Sequence, residues 1–172
     1  MRFQGVAYRA HNPAWSFAPL SGAGAAVHGG RFNPKGIPAL YLGTTIMTAV
    51  REANRGLAFK IDPCVLCSYE VDCEEVVDLS SEGARAEAGV ELEELSGAWL
   101  ALARSSHEPP TWLLSRRLIK AGAAGLIAPS FAPGAGKEDH NLVLWRWSRL
   151  RPHKVRVYDP SGRLPKNVLS RT

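Results

Sequence analysis

The order in which strand-like and helix-like stretches follow one another constrains the fold of this chain more than any other feature. Short apolar, β-forming runs near Val65–Val71 and Val76–Leu79 come in direct succession, and Gly125–Ala128, Asn141–Ser148 and Val155–Tyr158 do so again near the end. Two or three helix-forming stretches lie between these groups. The expected class is therefore α+β in place of a regularly alternating parallel sheet.

The remaining elements follow from local signals. Gly5–Ala10 predicts a first strand that runs into a loop at Asn12-Pro13. Ser21–Gly30 is rich in glycine and has little capacity for regular structure, so it reads as a long functional or mobile loop. Ile37–Gly43 reads as a buried strand. Thr44 or Thr45 can cap a helix running to about Arg55 and ended by Gly56, with Ile46, Met47, Ala49, Val50 and Ala53 on its apolar side. Glu52 lies off the centre of that side, beside Thr48 and Arg55 at helical spacing. Val90–Arg104 places Leu92, Leu95, Trp99, Leu102 and Ala103 at helical spacing and reads as one core-facing helix. A further helix starts after Pro109-Pro110, with Thr111 as its cap, and ends near Gly122.

The length of 172 residues suits a single domain over 1–172, with the last ten or so residues as an unfixed tail. Twenty-one basic against sixteen acidic side chains give a net charge of +5, which favours anionic ligands or partners without choosing among them. Glu82, Glu87, Glu91, Glu93 and Glu94 gather the acidic charge, and Arg146–Arg171 gathers basic charge. No nucleic-acid motif accompanies that basic stretch, so it reads as a solvated face and direct nucleic-acid binding is not expected. Neither an apolar leader before a small-residue cleavage site nor a membrane-length apolar window occurs, which points to the cytoplasm. Cys64, Cys67 and Cys73 cannot all pair, and Cys64 and Cys67 fall on opposite faces of a strand, so neither a disulfide framework nor a metal site is expected.

Four polar features sit at the ends of these strands or in the loops beside them: Tyr8-Arg9, Gly29–Pro34, Tyr41 with Arg51-Glu52, and Pro129-Ser130. Together, Gly-Gly-Arg31-Phe-Asn-Pro-Lys-Gly36, Tyr41-Leu-Gly, Ala49-Val-Arg-Glu52, Pro-Ser130 and Asn141-Leu-Val-Leu resemble, in order and spacing, the signature of the RES domain family. The similarity runs from about Tyr8 to Leu144 and is strongest from Gly29 to Glu52. Phe32 stands where the family pattern has Trp, and Ser80–Glu108 carries no family motif. The resemblance implies a fold similar to ADP-ribosyltransferases, a mixed or antiparallel β core with flanking helices, and the toxin half of a type II toxin–antitoxin pair, with an Xre-like antitoxin as partner. It also implies NAD as a consumed substrate, whose nicotinamide–ribose bond is cleaved and whose ADP-ribose passes to a protein target, water or phosphate.

On that implication the residues take roles that fit their chemistry. Arg31 presents a permanent, forked donor set suited to pyrophosphate, the preceding glycines allow close backbone approach, and Arg9 is a second candidate clamp. Asn33, in the same segment, joins Arg9, Arg31, Tyr41 and Ser130 as an NAD-binding candidate. Glu52 can stabilise positive charge on the ribose, bind a ribose hydroxyl or deprotonate the acceptor. Tyr41 offers a ring for stacking on nicotinamide and a hydroxyl for hydrogen bonding. Ser130 lacks a Ser-His-Asp pattern or nucleophile elbow, so it reads as a hydrogen-bond donor to substrate or to Glu52. Arg31, Tyr41 and Glu52 form the catalytic set.

The glycine-rich stretches match neither a Rossmann fingerprint nor a phosphate loop, so NAD is expected as substrate and not as hydride carrier. His28 and His140 read as exposed or structural. An antitoxin is expected to cover the NAD cleft, an acidic segment competing for the Arg31 and Arg9 donors. The alternative reading is a non-catalytic basic module that binds nucleic acid or a partner protein. It accounts for the charge but leaves the order Arg31, Tyr41, Glu52 unexplained.

Overall fold

A computed structural model of the protein describes residues 1–54, 61–105 and 107–171, with side chains as far as residue 169. Seven strands form one sheet: β1 (Phe3–His11), β2 (Leu40–Gly43), β3 (Val65–Cys73), β4 (Val76–Asp78), β5 (Gly125–Pro129), β6 (His140–Leu144) and β7 (His153–Val157), in the order β4-β5-β6-β2-β1-β3-β7. The pair β4·β5 is parallel and the other five neighbour pairs are antiparallel. The class is thus α+β, as the succession of strands without helices between them requires. Among the described residues no helix is long and apolar enough to cross a membrane.

Strand periodicity sends alternate side chains to opposite faces, and both faces of the central strands are buried. On one face Ala7, Leu40, Leu42, Tyr69, Val71, Leu142 and Leu144 pack together. On the other, Leu126, Ala128 and Val143 meet Phe32, Ala39, Leu95, Leu114 and Trp145. Each fully buried leucine contributes about 2 kcal/mol, so β5 and β6, buried on both sides, anchor the sheet. Loops and the C-terminal segment cover the first face. The helices cover the second: α1 (Ala23–His28), α2 (Ile46–Asn54), α3 (Glu82–Ala88), α4 (Leu92–Ser96), α5 (Trp99–Arg104) and α6 (Pro110–Lys120).

Several elements differ from expectation, each for a local reason. The glycine-rich Ser21–Gly30 stretch contains α1, whose Ala25 packs on the second face. The expected helix Val90–Arg104 is two helices, because Gly97 leaves the helical conformation between α4 and α5. The helix α3 precedes them, capped by Ser81 and closed by Gly89 in the left-handed region. Thr111 is buried inside the first turn of α6 instead of capping it. The strand expected at Asn141–Ser148 stops at Leu144, beyond which Trp145 turns its indole N–H to the Phe32 carbonyl at 2.8 Å. Arg55 and Gly56, expected to end α2, lie outside the described residues. The basic C-terminal stretch is partly neutralised, with Arg146, Arg151 and Arg156 paired to Glu75, Asp72 and Glu70.

Candidate active site

The segment Gly29–Pro34 forms a tight turn closed by the Gly30–Asn33 backbone bridge, with Arg31 and Phe32 at its tip. Its polar groups are gripped from several sides. The Gly30 carbonyl accepts the Trp112 indole N–H at 2.8 Å, and the Phe32 carbonyl accepts Trp145 Nε1–H and the Ser115 hydroxyl at 2.8 and 2.9 Å. The Tyr41 hydroxyl accepts the Phe32 N–H at 3.0 Å and donates to Asn33 Oδ1 at 2.7 Å. Burial pushes the Tyr41 hydroxyl well above its ordinary range, so it stays protonated and able to donate. Asn33, fully buried, donates to the carbonyls of Ala25, Ile37 and Pro34. Gly30 is required because a Cβ there would press on the Tyr41 hydroxyl and lie 2.6 Å from Asn33 Oδ1.

This scaffold aims Arg31. Its Nη1 donates to the carbonyls of Leu95 and Gly97 at 2.8 and 2.9 Å, and its guanidinium lies over the Phe131 ring at 4.7 Å. Nε and Nη2 have no hydrogen-bond partner among the described residues, which leaves one edge of the fork for a bidentate anion. Burial lowers the proton affinity of Arg31, and the charge of Glu52 opposes that effect.

Glu52 is delivered by α2. Thr45 caps that helix, its hydroxyl accepting the Thr48 N–H at 3.0 Å. Gly43 at the end of β2 lets the helix settle on the sheet, since a Cβ at Gly43 would lie 2.6 Å from the Ala49 amide nitrogen. Asp139, nearly buried, ties the helix to the loop before β6 by accepting from Thr48 Oγ1, Arg51 Nη1 and the Gly136 N–H at 2.7, 2.6 and 2.7 Å. Those bonds, the Thr48 hydroxyl first, hold the Asp139 carboxyl below the usual range. One turn beyond Thr48, Glu52 Oε1 accepts the Ser130 hydroxyl at 2.6 Å and the Asn141 amide. Ser130 is itself set by its N–H, which donates to the Asp139 carbonyl at 2.7 Å.

Arg31, Tyr41 and Glu52 line one cleft of about 630 Å³, and Tyr8, Trp99, Phe131 and Asn141 line it with them. Ser130 stands behind Glu52, and Asn33 stands behind the turn. Arg9 borders the same cleft, but strand register sends its side chain to the face of Cys67, opposite Tyr41. There its Nη1 donates to the carbonyls of Pro19 and Ser21 at 3.5 and 3.2 Å. Tyr69 and Trp147 donate to the neighbouring Pro19 and Leu20 carbonyls, so Arg9 braces the loop that leads into α1. Tyr8, one residue earlier, takes the cleft face. His28 also lines the cleft, and the His140 carbonyl accepts from Thr44.

Trp99 was expected in the core and instead lines the cleft, because the break at Gly97 reorients α5. Asn141 carried a legible signal as a polar side chain that, after His140, precedes the apolar run Leu142–Leu144 of β6. Phe131 and Trp99 carried none, since both depend on loop paths. Among the described residues no three histidine, cysteine, aspartate or glutamate side chains converge on a possible metal position.

Comparison with known proteins adds three findings. No curated protein matches the chain significantly. A chain of the crystal structure of the M. tuberculosis MbcT–MbcA toxin–antitoxin complex is similar in fold, with a TM-score of 0.63 at 22% identity over 92% of this chain and 84% of that one. The profile described as RES domain matches residues 6–167.

Proposed function

This chain belongs to the RES domain family, and from that premise we propose that it is a toxin that consumes NAD by breaking the nicotinamide–ribose bond. The observation that carries the reading is the convergence of two incompletely satisfied groups on one cleft: the Nε and Nη2 edge of Arg31, and Glu52, whose hydrogen bonds among the described residues all fall on Oε1. A pyrophosphate needs the first and a developing ribosyl cation needs the second. Tyr8, Trp99 and Phe131 supply ring faces for the two bases.

In the proposed reaction Arg31 holds the pyrophosphate and Glu52 faces the ribose. The bond from the ribose anomeric carbon to the pyridinium nitrogen breaks, its electron pair leaves with nicotinamide, and the ribosyl cation is stabilised by the Glu52 carboxylate. An acceptor oxygen or nitrogen then attacks the anomeric carbon and loses its proton. Tyr41 and Asn33 act by holding the turn that aims Arg31, and Ser130 acts by holding Glu52. Water, phosphate and a protein side chain are the acceptor classes, separated by following labelled NAD in cell extract. The natural restraint on such a toxin is an antitoxin, as in the MbcT–MbcA complex, and an acidic segment presented to the free Arg31 edge suffices to close the cleft.

A non-catalytic basic module is less well supported. Arg146, Arg151 and Arg156 are already paired, and the Arg31–Glu52 juxtaposition would have no role. The test is nicotinamide release from NAD by the purified chain. We expect release by the wild type and a loss of about 100-fold or more in Glu52→Gln, which removes charge at nearly constant volume. No release by the wild type, or equal release by the variant, refutes the proposal.

A further inference from the structure

Outside the Arg31–Tyr41–Glu52 set, one polar side chain in the cleft is built into the same hydrogen-bond system, and it comes from the far side of Gly43. Strand register aligns Tyr8, Gly43, Asn141 and Ala128 across β1, β2, β6 and β5. Because Gly43 has no side chain, α2 lies directly over this row, and Glu52 descends onto Asn141. The amide must turn its nitrogen to the carboxylate, since only an N–H can donate to Oε1. The Asn141 Oδ1 is thereby directed away from Glu52 and has no hydrogen-bond partner among the described residues. Ser130 donates to the same Oε1 from β5's end, and its own oxygen accepts the Ala132 N–H at 3.2 Å, which directs its proton to Glu52.

We propose that Asn141 is a positioning residue: with Ser130 it pins Oε1 of Glu52 and so makes Oε2 the oxygen presented to the cationic centre. The inference rests on the NAD-cleaving reading for its chemistry and on geometry alone for the pinning. A carboxylate held at one oxygen by two donors, one in β6 and one just past the end of β5, cannot rotate freely about its terminal bond. Electrostatic stabilisation depends on such pre-orientation, because a group that must turn during the reaction loses much of its effect.

The discriminating variant is Asn141→Asp, which replaces the amide by a group that donates only while protonated. Near neutral pH it sets a second negative charge against Glu52, and in acid one shared proton restores a donor. Among the described residues the other charged or titratable groups around the pair are Arg31 on the turn, Tyr41 on β2, Tyr8 and Arg9 on β1, His28 on α1, and Arg51 with Asp139, followed by His140. All are common to wild type and variant, so the ratio of the two proteins isolates the substituted group.

We expect Asn141→Leu to lower kcat for nicotinamide release about ten-fold or more with KM little changed at every pH, the loss expected for one hydrogen bond to a charged group. Asn141→Asp should approach wild-type kcat at about pH 5 and fall well below it at about pH 8. Independently of any reaction, the Tm difference between wild type and Asn141→Asp should widen from the lower to the higher pH. Parallel pH profiles and a constant Tm difference would overturn the inference, as would wild-type kcat in Asn141→Leu. If the wild type releases no nicotinamide, the reaction assignment falls, and the Tm comparison alone decides whether Asn141 pins Glu52.

Discussion

Replacing Tyr41 by Phe separates two roles that its position in the cleft allows, contact with a ligand and support of the turn. The hydroxyl has partners on both sides, accepting from the Phe32 N–H at 3.0 Å and donating to Asn33 Oδ1 at 2.7 Å. Asn33 has no solvent exposure, and Phe32 is 1% exposed, so water cannot readily replace the lost oxygen. Each buried polar group left without its partner costs about 1–3 kcal/mol, and two are orphaned, giving about 2–6 kcal/mol. Urea unfolding followed by tryptophan fluorescence measures this as a lower midpoint at unchanged slope. Nicotinamide release should fall as well, through KM more than kcat, because the loosened turn misplaces Arg31 before it affects Glu52. An unfolding midpoint equal to that of the wild type, with activity alone reduced, would refute the scaffold argument and make the hydroxyl a ligand contact.

Arg31→Lys should weaken NAD binding at least about ten-fold by calorimetry, because a lysine cannot keep the Leu95 and Gly97 carbonyl bonds and offer a second edge to phosphate as well; equal affinity would exclude the clamp. His11 is held neutral mainly by burial and secondarily by Arg9, its pKa lowered from 6.5 to about 4. The unfolded chain therefore binds the extra proton between those values, so stability is lost as pH falls from about 6.5 towards 4 and is fully present above. His11→Gln, which keeps a donor for Tyr69, should flatten the drop in urea midpoint between neutral pH and about pH 5; an unchanged slope would show that other groups cause it.

What the sequence by itself determined follows from interactions between near neighbours. The runs β3-β4 and β5-β6 without helices between them pointed to α+β and away from a regularly alternating parallel sheet, but not to the strand order, in which β4 pairs with β5 in parallel and not with β3. A threonine cap for α2 was equally legible, as was the grouping of Gly29–Asn33 with Tyr41, because those elements are local and the turn sits only a few residues from the strand that supports it; the buried side of α2 was not, since Thr48 and Ala49 are covered while Ile46 and Met47, expected on that side, are exposed. Tertiary structure alone decided which side of the sheet each polar residue serves. The pair Tyr8-Arg9 shows this: period-two alternation requires opposite faces, but only the pairing of β1 with β3 and β2 sends Tyr8 to the cleft and Arg9 behind it. The break at Gly97 that brings Trp99 into the cleft, and the meeting of Glu52 with Ser130 and Asn141 from 78 and 89 residues away, were likewise hidden. Such contacts arise from strand order and from the close approach of α2 over Gly43, and local propensity carries no record of either.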